Sequence, residues 1–595
     1  MTTVRKVRRS QIISPFGPGA IIDLVGESFV VEDAGRWRGP RVPVEFPRLA
    51  SYLGVDSLAA PSPSPRWPIP YYRFPQWLFC TGCRRMSRWS YTKEVANTAP
   101  SCENCPGRKQ LVPMRFVAVC AGGHLSDVDW IGWAHSSIRR DRNQNQCQRP
   151  VLEFLSKAKV GGGLNSLVVR CATCRGERSL DGLTTRIGLA QIGSKCTGRQ
   201  PWQDQRDAVP CSEQVVAMQR GASSVYFPTV VSAIDIPPDS AWSTFSTPLA
   251  SLRKSAEFKF LLSEPNHELA KAMIGIAAGK HGLSPTEIEA ALAQELTDSR
   301  TPTEGGPENI RPDEWAALIN PQGNHDPKDR FISRRADHPW GGTGGGAIGW
   351  QALIPDVVLV DRLREVRVLT HFERHTMGQV VPSNLSADAD FLPAVEVFGE
   401  GFFLRFDEDA LSSWERSGLV VERCRKLLER HRTKGLKWLS EPTPRYVLLH
   451  TFAHLLLRNT AFEAGYSTSA LRERLYVTNG RGPAMAGVLI YTAAGDHEGT
   501  LGGLVRMGEF PRLGRLLDMS VTAALWCSFD PVCSDHPGQG PDGLSLAACH
   551  ACTLTPETSC EATNRLLDRR LLVDPEFGFF KDLAAAIGGV PGTVL

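Results

Sequence analysis

No stretch of this 595-residue chain reads G-x-x-x-x-G-K-[ST], so the loop that cradles nucleotide phosphates in P-loop ATPases is missing. The run GGTGGG (341–346) follows His338-Pro339-Trp340 where a strand should lead in, and no Gly-Lys-Ser/Thr comes after it. It reads as a flexible loop in a Pro/Gly-rich connector over 299–349. There is no G-x-S-x-G elbow for a serine hydrolase and no H-x-E with P-C-x-x-C for a zinc deaminase. The H-x-K of phospholipase-type nucleases fails at His431, because Lys434 comes one position late. Long apolar runs are scarce too. Tyr446–Leu457 is the most apolar, but His450 and His454 interrupt it and it is too short to span a bilayer. No apolar segment follows the basic N-terminus (Arg5, Lys6, Arg8, Arg9) before Pro15 and Pro18, so no signal peptide is expected and the chain reads as cytoplasmic. An excess of one charge is also lacking. With 67 Lys and Arg against 63 Asp and Glu, the formal net charge is +4, so any nucleic-acid contact must come from local basic patches.

What the sequence does have is cysteine, sixteen in all. In a reducing compartment, cysteines that fall in C-x2-C pairs point to metal ligation rather than disulfides. Near the C-terminus Cys527, Cys533, Cys549, Cys552 and Cys560 lie within 34 residues, and Cys549-x2-Cys552 is a knuckle whose turn aims both thiolates at one point. Cys560 follows eight residues later, and Cys533 or Cys527 returns to close a tetrahedron of the kind structural zinc requires. In the first half, Cys80-x2-Cys83 and Cys102-x2-Cys105 are separated by 18 residues, the spacing of a zinc ribbon or treble clef. Arg84, Arg85, Arg88, Trp89 and Tyr91 stand beside the first of them, either as a solvated face or as a nucleic-acid contact. Cys171-x2-Cys174 with Cys196 and Cys211 makes a further four-cysteine set. Cys120, His124, His135 and Cys147 form either a mixed site or a strand end and a hydrogen-bonded turn.

The rest of the pattern suggests a mixed α+β and α/β multidomain chain of about three or four domains by length. Zinc-ribbon-like modules occupy a β-containing region over 1–240. A helical segment and the flexible loop follow over 241–349, and a mixed α/β domain over 350–595 is closed by the four-cysteine motif. Ser284-Pro285-Thr286-Glu287 is a capping box, and Ile288, Ala291, Leu292 and Leu296 behind it form a face expected to pack on the rest of the protein. VEVFGEGFFLRF reads as a hairpin about Gly399-Glu400-Gly401, and Asp407, Glu408 and Asp409 as a helix start. His450 and His454 sit on one helix face, but Thr451 stands where H-E-x-x-H proteases carry their base, so they read as core or interface histidines. Two to four structural zinc sites and no catalytic centre are expected. The competing class is a metal-dependent nuclease or hydrolase with an open metal position around His124, Asp127 and Asp129; a third reading is an architectural scaffold.

The segment ACHACTLTPETSCEATNRLLDR resembles the closing motif of the zinc-binding domain at the C-terminus of Mrf-type DNA-repair helicases. The segments RRSQIISPFGPGAIIDL, RGASSVYFP, VVLVDRLREV, FGEGFFLRF, GYSTSALRERLY and GTLGGLV, in that order, are similar to the B-subunit (DrmB) family of DISARM anti-phage systems. The likeness runs from residue 8 to about 570. It implies a cytoplasmic defence subunit without a motor of its own. Such a subunit pairs with a DrmA-type helicase to bind and survey foreign DNA, beside a DNA methyltransferase. It also implies that Cys549, Cys552 and Cys560 are zinc ligands, with Cys533 or Cys527 as the fourth.

Overall fold

The computed structural model describes residues 9–95, 98–136, 147–157, 162–238, 240, 252, 255–263, 269–298, 310–321, 325–337, 340, 348–375, 379–386, 390–436, 438–478, 483–492 and 502–588. Arg5, Lys6, Arg8, His338, Pro339, the GGTGGG run and the side chain of Leu296 lie outside what is described. The chain divides into two compact units, one of residues 1–232 and 366–396, the other of residues 233–365 and 397–595. The segment 241–349 therefore falls with the second unit, and 366–396 with the first. The division passes through two long strands, Asp356–Glu373 and Phe391–Arg405.

The first unit is built from small antiparallel sheets of short strands. Trp77–Cys80 lies between Met86–Arg88 and Leu111–Pro113, and Phe116–Cys120 between Leu125–Asp127 and Val215–Gln219. Leu167–Cys171 lies between Leu152–Ser156 and Glu177–Ser179. The short helix Trp130–His135, capped by Asp129 accepting from Gly132 N at 2.8 Å, buries Trp130 and Trp133 completely. Its Trp133 Nε1 donates to Ser179 O at 3.1 Å, which docks the helix on the last of those sheets. Arg374 is wholly buried and donates to Gly19 O at 2.8 Å, Val225 O at 2.8 Å and Gly123 O at 3.2 Å. It supplies donors to loop carbonyls that no strand partner satisfies.

The core of the second unit is the helix Pro444–Ala464. Pro444 at its first turn, Thr443 accepting from Tyr446 N at 3.2 Å and Gly465 in the left-handed region (φ 72°) set its ends. It packs on the antiparallel strands Leu471–Val477 and Ala486–Thr492 and on the helix Arg512–Ala524. Leu513, Leu516, Leu517 and Val521 of that helix recur at helical spacing and are fully buried. The expected hairpin about Gly399 and Gly401 is instead part of one continuous strand, Phe391–Arg405. The glycines are there for closeness rather than turning. A Cβ at Gly399 would lie 2.2 Å from Thr492 O, and one at Gly401 2.2 Å from Ile490 O.

The predicted capping box caps the helix Pro285–Asp298, with Ser284 N donating to Glu287 Oε2 at 2.7 Å. Its apolar face packs within a local three-helix cluster, where Ile288 and Ala291 meet Phe258, Leu261 and Ala277 of the two preceding helices. Asp407 caps the helix Glu408–Glu415, as the acidic run suggested. A buried ion pair ties the helix Ile310–Ile319 to the sheet. Arg474 Nε and Nη2 each lie 2.7 Å from a Glu314 oxygen, both side chains being 1% exposed. Glu314 also accepts from Ile234 N at 2.8 Å and Tyr476 Oη at 3.1 Å.

Candidate metal centres

Cys80 ends the strand Trp77–Cys80, and the turn after it carries Cys83. Cys102 and Cys105 come to the same point: Cys80 Sγ is 3.6 Å from Cys105 Sγ, and Cys83 Sγ is 3.6 Å from Cys102 Sγ. Four sulfurs at about 2.3 Å from a tetrahedral zinc stand about 3.8 Å apart, so these separations match a liganded set. Gly82 N and Asn104 N donate to Cys80 and Cys102 at 3.4 Å each, the backbone pattern that stabilises thiolates in knuckles. Burial pushes the Cys80 thiol up, yet hydrogen bonds from the N–H groups of Cys83 and Gly82 and from the Cys105 and Cys102 side chains together outweigh it and hold it at about 6. Cys105 is pushed up to about 12 by its neighbours Cys83 and Cys80, because thiolates this close repel unless a cation lies between them.

The set Cys171, Cys174, Cys196 and Cys211 does not assemble. Cys171 and Cys174 meet His135 and Cys147, while Cys196 and Cys211 meet Cys120 and His124. Strand register decides this. Leu152 pairs with Cys171, which brings Cys147, five residues before Leu152, to 3.8 Å from Cys171 Sγ. Val215 pairs with Cys120, which brings Cys211 to 4.0 Å from Cys120 Sγ. Cys196 Sγ lies 3.5 Å from both Cys120 Sγ and His124 Nδ1. His135 Nδ1 donates to Ile131 O at 2.7 Å, so its buried, unpartnered Nε2 is the free lone pair. The loosely spaced Cys120, His124, His135 and Cys147 thus supply two sites, each pair completed by two of the cysteines expected elsewhere.

The alternative open site does not form around His124. Asp127 accepts from Trp77 N at 3.3 Å and Asp129 caps its helix, so neither carboxylate joins the His124 group. Burial raises the Asp127 carboxyl to about 6, against the lowering pull of the Trp77 N–H and Arg88.

In the second unit Cys527, Cys533, Cys549 and Cys552 converge, so both of the alternative fourth ligands take part. Cys527–Cys549 is 3.5 Å, Cys549–Cys552 3.7 Å and Cys533–Cys552 3.8 Å between sulfurs. Arg458, on the helix Pro444–Ala464, donates to Leu554 O at 2.9 Å, Ala551 O at 3.1 Å and His550 O at 3.3 Å, anchoring the knuckle to the core. Cys560 is not part of this set. The turn after Glu557–Ser559 directs it to the helix instead, with its Sγ 3.2 Å from His450 Nε2. His450, His454 and Glu473 gather around it, all buried. Sequence reasoning left these histidines in the core because it sought a base at Thr451. The i and i+4 pairing was visible in the sequence; what it did not show were the partners, Glu473 and Cys560, 19 and 106 residues beyond His454.

Among the described residues, all five groups offer one donor atom from each of four residues, and the thiol-rich ones fit structural zinc sites. Two family models match the chain. One is a domain of unknown function (DUF8724) over residues 8–227, and the other is the MrfA Zn-binding domain over residues 452–553. The chain is also similar to the DISARM protein DrmB of Bacillus paralicheniformis. The two are 30% identical over 590 residues, covering 94% of this chain and all of that relative.

Proposed function

The chain belongs to the family of the DISARM protein DrmB, and on that premise we propose that it is a non-catalytic, zinc-supported subunit of a cytoplasmic anti-phage complex. In this reading it pairs with a DrmA-type helicase to bind and survey foreign DNA, beside a DNA methyltransferase. The observation that carries the proposal is that each metal-binding group gathers four protein donors within 4.8 Å of one another, the ligand number of a structural zinc, which keeps no open position for a reacting water. The sequence has no Walker loop, which agrees with a motor on another chain. No helix among the described residues is long and apolar enough to cross a membrane.

Two surfaces suit the proposed contacts. Beside the first cysteine cluster Arg84 and Arg88 are exposed and Tyr91 is 76% exposed, a basic and aromatic face suited to a phosphate backbone. Beside the C-terminal cluster Trp526, Phe529 and Val532 are each more than 60% exposed on a segment pinned by Cys527 and Cys533. A rigid apolar surface of this kind suits a protein partner.

The test is co-expression with a DrmA-type helicase, recording co-purification, ATPase rate and DNA binding with and without this chain. A stable complex with altered DNA binding, and no cleavage by this chain alone, is expected. Failure to associate, together with divalent-dependent nicking of a plasmid by the isolated chain, would overturn the assignment.

A further inference from the structure

His450 and His454 project from one face of the helix Pro444–Ala464, Glu473 from the strand Leu471–Val477, and Cys560 from the loop beyond the four-thiol cluster. Relative exposures are 0%, 0%, 1% and 6%, so the four polar groups meet in the interior of the unit. His450 Nδ1 lies 3.3 Å from Leu566 O, and His454 Nδ1 2.9 Å from Thr553 O. A carbonyl oxygen can only accept, so both Nδ1 atoms carry hydrogen, and in the neutral rings each Nε2 is a bare lone pair. Those lone pairs face a carboxylate and a sulfur. His450 Nε2 is 3.1 Å from Glu473 Oε1 and 3.2 Å from Cys560 Sγ, and His454 Nε2 is 3.5 Å from Glu473 Oε1.

Four electron-pair donors in contact in a dry core repel one another unless a cation lies between them. One rival arrangement protonates the histidines against Glu473. It leaves Glu473 Oε2 buried with no hydrogen-bond partner and His454 Nε2 with only a long 3.5 Å approach to Glu473 Oε1, a costly state for an ion pair in the interior.

We propose that His450 Nε2, His454 Nε2, the Glu473 carboxylate and the Cys560 thiolate are the ligands of a fifth, fully enclosed structural zinc site. Bonds of about 2.0–2.1 Å to nitrogen or oxygen and about 2.3 Å to sulfur give tetrahedral edges of about 3.3 and 3.6 Å, close to the separations seen. The carbonyl-bound Nδ1–H groups are the outer-shell supports that fix ligating histidines. Asn564 N donates to Cys560 Sγ at 3.1 Å, as expected for a thiolate. One carboxylate and one thiolate balance a divalent ion, so the site is electrically neutral and tolerates complete burial. With all four ligands buried and the coordination filled by protein, it staples the helix to the strand and to the loop after the knuckle instead of performing hydrolysis.

The test uses the full-length protein. Zinc counted by mass spectrometry is expected at five equivalents in the wild type and four in both His454→Gln and Cys560→Ser. A count that neither substitution lowers would overturn the site. If the variants do not fold, zinc-edge X-ray absorption on the wild type decides. Five sites place fifteen sulfur and five nitrogen or oxygen ligands on zinc, and four sites fourteen and two. A nitrogen or oxygen share near one in four is expected, and a share near one in eight would refute the proposal.

Discussion

Replacing Glu314 by alanine tests the account of the second unit most directly. Glu314 is 1% exposed and takes two 2.7 Å hydrogen bonds from Arg474, which is equally buried. Removing it takes both 2.7 Å hydrogen bonds from a buried guanidinium, with the Glu561 carboxylate 3.9 Å away, and takes the acceptor that Ile234 N–H and Tyr476 O–H use. Losing one partner of a buried pair costs about 3–5 kcal/mol. At about 1.4 kcal/mol per tenfold, amides of the strands Leu471–Val477 and Ala486–Thr492 should then exchange about a hundred- to several-thousand-fold faster, read by hydrogen–deuterium exchange. The paired replacement Glu314→Leu with Arg474→Met removes both charges, and the rates should return most of the way to wild type. A single variant costing under about 1 kcal/mol, or a double variant no better than the single, would show that the pair is not desolvated as described.

Four further outcomes follow from the geometry. Cys552→Ser should release one zinc equivalent and lower the melting temperature of the C-terminal unit, because metal binding and folding are coupled; unchanged metal content would contradict the four-thiol assignment. Because the folded-state carboxyl of Asp127 is raised to about 6 from an ordinary 3.8, ionising it opposes folding. Asp127→Asn should therefore be the more stable protein at pH 7, with the gap closing as pH falls from about 6 towards 4; a pH-independent gap would refute this. Gly401→Ala places a Cβ 2.2 Å from Ile490 O and should cost about 1–3 kcal/mol in denaturant titration. Under the proposed function, Arg84→Glu with Arg88→Glu should weaken DNA binding by the complex and flatten its salt dependence, without loss of zinc.

The cysteine knuckles were legible because a C-x2-C turn is local: Cys80/Cys83, Cys102/Cys105 and Cys549/Cys552 each present two thiols from within one turn. Partners supplied by strand pairing were not. Cys147 reaches Cys171, and Cys211 reaches Cys120, through the register of antiparallel strands, which linear spacing does not encode. The same limit hid Glu473 and Cys560 from His450 and His454. The long helix, the capping box at Ser284 and the Asp407 cap were readable from periodicity and side-chain chemistry. Gly399 and Gly401 misled because glycine marks both turns and close backbone approaches, and only the neighbouring strand tells them apart.

The buried Arg374 has a consequence for the order of events at the ribosome. The carbonyls it satisfies, at Gly19, Gly123 and Val225, are synthesised long before it. At about 5–20 residues per second, the 142 residues from Ser232 to Arg374 take roughly 7 to 28 s to make. Throughout that interval the first unit has its cysteines but not its closing segment. The ten thiols of that stretch fall in three groups whose members are all made by Cys211, so metal capture does not have to wait for residues 366–396. Early zinc capture by the Cys80–Cys105 knuckles, whose ligands are all local, would protect four of them during the wait.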